Sequence, residues 1–194
     1  MHEFDLCENR NKFNIMIGAI LIGGDSRRMG VNKANIELNG ISLLDRSIAI
    51  LKPEVEDLFI IGKEDDIYNG IGAIGGLHSA IIKANGKAIF VLACDYPGIN
   101  SGFIRFMKAE YQQSYDMVLP QWEGNIQTLC GVYGPGMLSL IESQIKSKDY
   151  KIKNLIKKCR VKLVRFSKKH EFYSDSLLIN MNTPADYEQF KTKD

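Results

Sequence analysis

The sequence predicts one α/β domain with a mostly parallel central sheet flanked by helices. Three observations carry this prediction. Short continuous apolar runs have the length of strands: IMIGAILI and AIFVLA have the character of buried strands, and DLFIIG is a further short apolar run. They alternate with stretches such as SLLDRSIAILK and IGGLHSAIIKA, whose apolar residues recur at helical spacing. The alternation of strand and helix is the pattern of a parallel sheet covered by its own crossovers, and 194 residues suit a single domain with its own core.

Residues 1–13 are polar and lack the apolar centre of a signal peptide, so they read as a short, loosely held leader before a domain spanning 14–194. IMIGAILI is the first strand. SLLDRSIAILK is a helix, DLFIIG a strand closed by Gly62, IGGLHSAIIKA a helix and AIFVLA a strand ended by the turn-forming CDYPG. GFIRFMKAEY is helical, DMVLP and TLCGVY are strands, and MLSLIESQI is a helix. IKNLIKKC puts Ile152, Leu155, Ile156 and Cys159 on one helical stripe, and VKLVRF alternates as a half-exposed strand should. LLINMNTPADYEQF supplies a last strand, a loop and a helix opened by Pro184.

Composition removes several classes of function. A net charge of +2 does not mark a nucleic-acid or membrane-surface protein, and no apolar stretch approaches the ~20 residues of a membrane span. Cys7, Cys94, Cys130 and Cys159 form no CxxC pair, which argues against a zinc site or a disulfide framework and for a reduced, cytoplasmic setting. His2, His78 and His170 show no ligand or triad spacing and read as surface or packing residues. No GxSxG nucleophile elbow occurs.

Ligands of open α/β sheets bind beyond the carboxyl ends of the strands, and three polar loops fall there. In LIGGDSRRMGVNK, Gly23 and Gly24 let the backbone approach a ligand closely, and successive amides can cradle an anion. Arg27, Arg28 and Lys33 follow to neutralise a polyphosphate. The stretch is neither a Walker loop nor GxGxxG, and a tight turn before a basic face remains the alternative. In CDYP, Asp95 is either a cap or a hard-cation ligand such as one for Mg2+. In NMNTPAD, Asn180 and Asn182 share a face if the segment is strand, while Thr183 and Pro184 read as a helix start. Trp122 is either a ring-stacking residue or a structural one. Between Lys146 and Lys169 the chain is rich in cations with Asp149 the one acid; this reads as a solvated face, with guidance of an anionic substrate toward the pocket or docking of an acidic partner the minor alternative.

Together these stretches resemble the molybdenum cofactor guanylyltransferase family, the MobA-like nucleotidyltransferases. Its signature Leu-Ala-Gly-Gly-x-Ser-x-Arg-Met-Gly-x-x-Lys matches at both glycines, Ser26, Arg28, Met29, Gly30 and Lys33. Asp66 in DIYNGIGAIGGL, CDYP and NMNTPAD match three further motifs in order, and LPQWEGNIQTLCGVY is similar to the middle segment. Ile22 stands in place of the usual Ala, and Ala73 in place of the usual Pro.

The resemblance implies a Rossmann-like nucleotidyltransferase domain that moves GMP from GTP to molybdopterin and releases pyrophosphate. It places the triphosphate over Gly23, Gly24 and Gly30 with Ser26, Arg28 and Lys33, and the nucleoside against Leu21, Ile22 and Asp66. Asp95 is implied as the Mg2+ ligand, and Asn180 and Asn182 as the molybdopterin side. Arg28, Lys33 and Asp95 carry catalysis in this picture. Transient contacts with molybdenum cofactor biosynthesis proteins or apo-molybdoenzymes are further implied, with no nucleic acid and no membrane as partners. The alternatives are a cytidylyltransferase for molybdopterin, a nucleotide-binding regulatory protein without turnover and, more distantly, a Rossmann dehydrogenase.

Overall fold

β1 (Ile17–Leu21) is buried along its whole length, as a strand covered on both faces must be. The computed structural model describes residues 16–22, 33–68 and 70–191. β2 (Glu37–Leu38) and β3 (Ile41–Ser42) form a small hairpin. Its two-residue turn is Asn39-Gly40, both with positive φ (52° and 75°), the backbone that a tight hairpin of matching twist demands. α1 (Leu43–Leu51) starts at Ser42, whose hydroxyl accepts from the Asp45 amide at 3.0 Å. β4 (Asp57–Ile61) follows, then α2 (Ala73–Lys83), entered through Gly72 at φ 75°. β5 (Ile89–Ala93) is buried throughout, and α3 (Ser101–Ala109) is capped by Asn100. β6 (Met117–Trp122), β7 (Asn125–Ile126), β8 (Cys130–Tyr133), α4 (Met137–Lys146), the single turn α5 (Ile152–Leu155), β9 (Val161–Arg165) and α6 (Pro184–Lys191) complete the chain.

β1 pairs in parallel with β4 on one side and β5 on the other. β8 runs antiparallel between β5 and β6, and β9 is parallel to β6 on its far edge. Five strands of the main sheet therefore share one direction, with β8 and the short β7 reversed, which is the mostly parallel sheet expected. Side chains alternate between faces along each strand. Ile20, Phe90, Leu92, Val118 and Val132 point to the layer that includes α1 and α3. Ala19, Val91, Leu119 and Tyr133 point to the layer of α2, α4 and α5. Among the described residues no helix is long and apolar enough to cross a membrane.

Two expectations change. LLI before Asn180 is not a strand: the amides of Leu177 and Ile179 turn back to the carbonyls of Ser174 and Ser176, and that of Met181 bonds to Asp95. The segment satisfies its backbone in turns and against the β5 loop, so no ladder forms. The stripe in IKNLIKKC does face inward at Ile152 and Leu155, but the helix lasts one turn. Thr183 behaves as the expected cap, since its hydroxyl accepts from the Asp186 amide while the Asp186 carboxylate accepts from the amides of Asn182 and Thr183.

Candidate active site

β1 is the point where chain order reverses, because the chain goes from β1 to β4 on one side and returns to β5 on the other. Leu21 is in register with Ile61 and with Ala93, so three strands end in line. Their following residues, Ile22, Gly62 and Cys94, leave the sheet side by side. The edge is closed by hydrogen bonds from the Ile22 amide to the Ile61 carbonyl (3.0 Å) and from the Cys94 amide to the Leu21 carbonyl (3.2 Å). The Leu21 carbonyl and the Ile22 amide are therefore both engaged within the sheet.

Asp95 stands one residue beyond this edge. Lys33 donates from Nζ to Asp95 Oδ2 at 3.3 Å and to Asn182 Oδ1 at 2.6 Å. The Asn180 side chain lies near both Asp95 and Tyr96 and lowers the pKa of each. Residues separated by 149 positions in sequence thus meet around one carboxylate. Burial pushes the Asp95 carboxyl above the usual range, while Lys33 and Asn180 pull it back. Its Oδ1 is buried without a hydrogen-bond partner. A buried acceptor in this condition costs free energy unless a ligand completes it.

Gly98 is what admits the segment bearing the asparagines. A Cβ there would collide with the carbonyl of Ser176, and the backbone at Leu177 lies next to it. Met181, wholly buried, is then anchored by its amide to the Asp95 carbonyl at 2.8 Å, and Asn180 and Asn182 flank it. The two asparagines flank a buried methionine on a segment that forms no strand.

Two adjacent acids after β4 have different roles. Asp65 accepts from the Gly62 amide at 2.9 Å and pairs with Lys83, which holds its carboxyl below the usual range. Asp66 has no such anchor: burial, then Asp65 and Glu64, raise its carboxyl, against an opposing pull from His78. Its Oδ1 is also buried and unpartnered. Gly75 allows α2 to come this close, since a Cβ there would meet Asp66 Oδ2 at 3.2 Å and the Tyr68 carbonyl at 3.0 Å. His78 is a buried packing residue, edge-on to Tyr68 with ring centroids 5.0 Å apart.

The structure therefore brings Lys33, Asp95, Asn180 and Asn182 together and sets Asp66 across the end of β1. Gly23, Gly24, Ser26, Arg27, Arg28 and Gly30 lie outside the described residues, as does the leader. Burial pushes the Cys94 thiol up to about 12, so the neighbouring cysteine is no nucleophile. Sequence reasoning missed Gly98, and it missed Tyr96, whose hydroxyl donates to Gln127 at 2.9 Å.

A mostly parallel α/β sheet with a cation, a carboxylate and carboxamides at its switch point carries a charged, polar site where such sheets bind their ligands. Comparison with known proteins narrows the class. The family model of the MobA-like NTP transferase domain matches residues 18–164, and this chain belongs to that family: it is a nucleotidyltransferase. A relative from Carboxydothermus hydrogenoformans named probable molybdenum cofactor guanylyltransferase is 30% identical over 183 residues, covering 88% of this chain and 92% of that one. A relative of the same name from Geobacillus sp. is 27% identical, covering 92% and 100%. The crystal structure of molybdopterin-guanine dinucleotide biosynthesis protein A from Archaeoglobus fulgidus shares the fold, with a TM-score of 0.78 at 22% identity over 92% of this chain and 98% of that one.

Proposed function

We propose that this protein transfers GMP from GTP to molybdopterin and releases pyrophosphate. The observation that carries the proposal is Asp95, a carboxylate paired with Lys33 at the switch point with one oxygen buried and unpartnered. The activity named for the relatives supplies the substrate pair.

In the reaction, a terminal phosphate oxygen of molybdopterin attacks the α-phosphorus of GTP. The bond from that phosphorus to the oxygen bridging toward the β-phosphorus breaks, and pyrophosphate departs. The nucleophile is already an anion, so no general base is required. Catalysis rests on positioning and on neutralising charge. Lys33 supplies a cation at the carboxyl end of β1, and Asn182 fixes its direction. Arg28, with Ser26 and the amides of Gly23, Gly24 and Gly30, holds the triphosphate in this proposal.

The donor set suits Mg2+. Among the described residues no three His, Cys, Asp or Glu side chains gather, and a lone buried carboxylate oxygen fits an ion that takes few protein ligands beside water and substrate phosphates. Asp95 would hold it, and bound there it supplies positive charge to the phosphates. Asp66 offers its unpartnered oxygen to the N1–H and N2–H donors of guanine, which adenine lacks. Asn180 and Asn182 lie toward the acceptor. A cytoplasmic setting and hand-over of the cofactor by other proteins belong to the same reading.

The test uses GTP labelled at the α-phosphate, incubated with molybdopterin and Mg2+. Label recovered on molybdopterin supports the proposal; label remaining in GTP or appearing only as free GMP contradicts it.

A further inference from the structure

We infer that the cavity walled by Trp122, Phe166 and Tyr173 holds the flat ring of the acceptor, as a site for a bicyclic heterocycle rich in hydrogen-bonding edges. The identity of that ring as a pterin rests on the guanylyl-transfer reading above; the site itself rests on the geometry.

The wall follows from strand register. Gln121 of β6 is paired with Arg165 of β9, so the next residues, Trp122 at the end of β6 and Phe166 just past β9, lie side by side at that edge. Their rings stack at 5.1 Å with an interplanar angle of 10°, and Tyr173 leans on Trp122 at 5.3 Å and 50°. Glu123, Asn125 and Gln127 supply a polar rim to a cavity of about 400 Å³. An aromatic wall with a few convergent polar groups, at a volume within the range of small-molecule sites, suits a planar ligand with donors and acceptors on its edge. A carboxylate and two carboxamides can together accept from and donate to such an edge.

Two short routes join the cavity to Asp95. Gln127, on the rim, accepts from the Tyr96 hydroxyl at 2.9 Å, and Tyr96 follows Asp95 in the chain. Ile179 lines the cavity, and two residues on the Met181 amide donates to the Asp95 carbonyl at 2.8 Å. A ligand whose ring fills this space can therefore extend a phosphate arm over Asn180 toward the carboxylate and Lys33. The asparagines then stand between ring and reacting phosphate, not against the ring.

The test is equilibrium dialysis of hydroxymethylpterin, and separately of GTP, against the full chain and three variants. Trp122→Ala and Tyr173→Ala should each weaken pterin binding by at least about tenfold, with GTP affinity held within about twofold. Trp122→Phe should stay within about threefold of wild type for both. Retained GTP affinity shows that a weakened variant is still folded. Equal pterin binding by wild type and Trp122→Ala overturns the site, as does absence of pterin binding to a wild-type chain that labels molybdopterin from GTP. Pterin binding that depends on Trp122 in a chain that transfers no label keeps the site and removes the reaction.

Discussion

Lys33 and Asp95 lie next to each other at 3.3 Å, and each has a second acceptor or donor from the segment 180–182. Removing either charge should cut turnover at least about tenfold while circular dichroism stays unchanged: Lys33→Ala loses the cation proposed to face the phosphates and Asp95→Ala the oxygen proposed to hold the metal. Asp95→Asn separates function from stability. The native carboxyl lies above its unfolded value, so at neutral pH its ionised form costs stability, and that cost fades as pH falls through the raised native value. The amide variant should therefore be inactive yet melt at or above the wild-type temperature at pH 7 without nucleotide, with the gap closing in acid. A lower melting temperature across the range would contradict this sign. For Asp66→Ala, discrimination of GTP from ATP should fall while turnover with saturating GTP falls less; unchanged discrimination would leave Asp66 a structural role. Both aspartates were legible in the sequence because each follows a strand in a motif of the right residue types. The contrast between Asp65 and Asp66 was not, since it depends on Lys83 and on the absence of a Cβ at Gly75.

Elements place these side chains through contacts that residue patterns only partly reveal. The turn 94–98 and the segment 176–182 touch backbone to backbone at Gly98, and Met181 fixes the asparagines beneath Lys33. Gly98→Ala should destabilise the fold by about 1–3 kcal/mol, as overpacking does, and lower turnover by more than the loss of folded protein explains. Thermal melts and rates normalised to folded protein check it; wild-type values in both would show that segment 176–182 moves freely. Continuous apolar runs gave away β1, β4 and β5, and apolar residues at 3.6 spacing gave away α1, α2 and α3; burial on both faces fixes the composition of β1 and β5, while β4 is a partly exposed edge strand. The run LLI misled for the same reason, since turn residues packed into the core are as apolar as a strand. The hairpin β2–β3 carries the Asn-Gly signal of its turn, but its strands are two residues long and show no alternation.

At the scale of the whole molecule, strand order sets the chemistry. With β1 between β4 and β5, the carboxyl ends of three strands lie in line, and the proposed nucleobase, phosphate and acceptor sites would follow one another along that edge toward β6 and β9. Strand existence was legible; order was not, because no local pattern says that β8 reverses between β5 and β6. The chain also distributes charge unevenly, with eleven of its 25 Lys and Arg but one of its 23 acids between Lys146 and Lys169. Several of these cations pair with acids elsewhere, Arg160 with Asp116, Lys162 with Glu110 and Lys168 with Asp175, as a solvated face does. Such exposed pairs add little stability. The central claim is that the Lys33–Asp95 cluster serves guanylyl transfer to molybdopterin. Its most direct test is pyrophosphate release in the presence of Mg2+ from GTP, CTP, ATP and UTP, each with and without molybdopterin. The account predicts release from GTP alone among the four, and only when molybdopterin is present. Release from CTP instead, or from GTP regardless of molybdopterin, would contradict it.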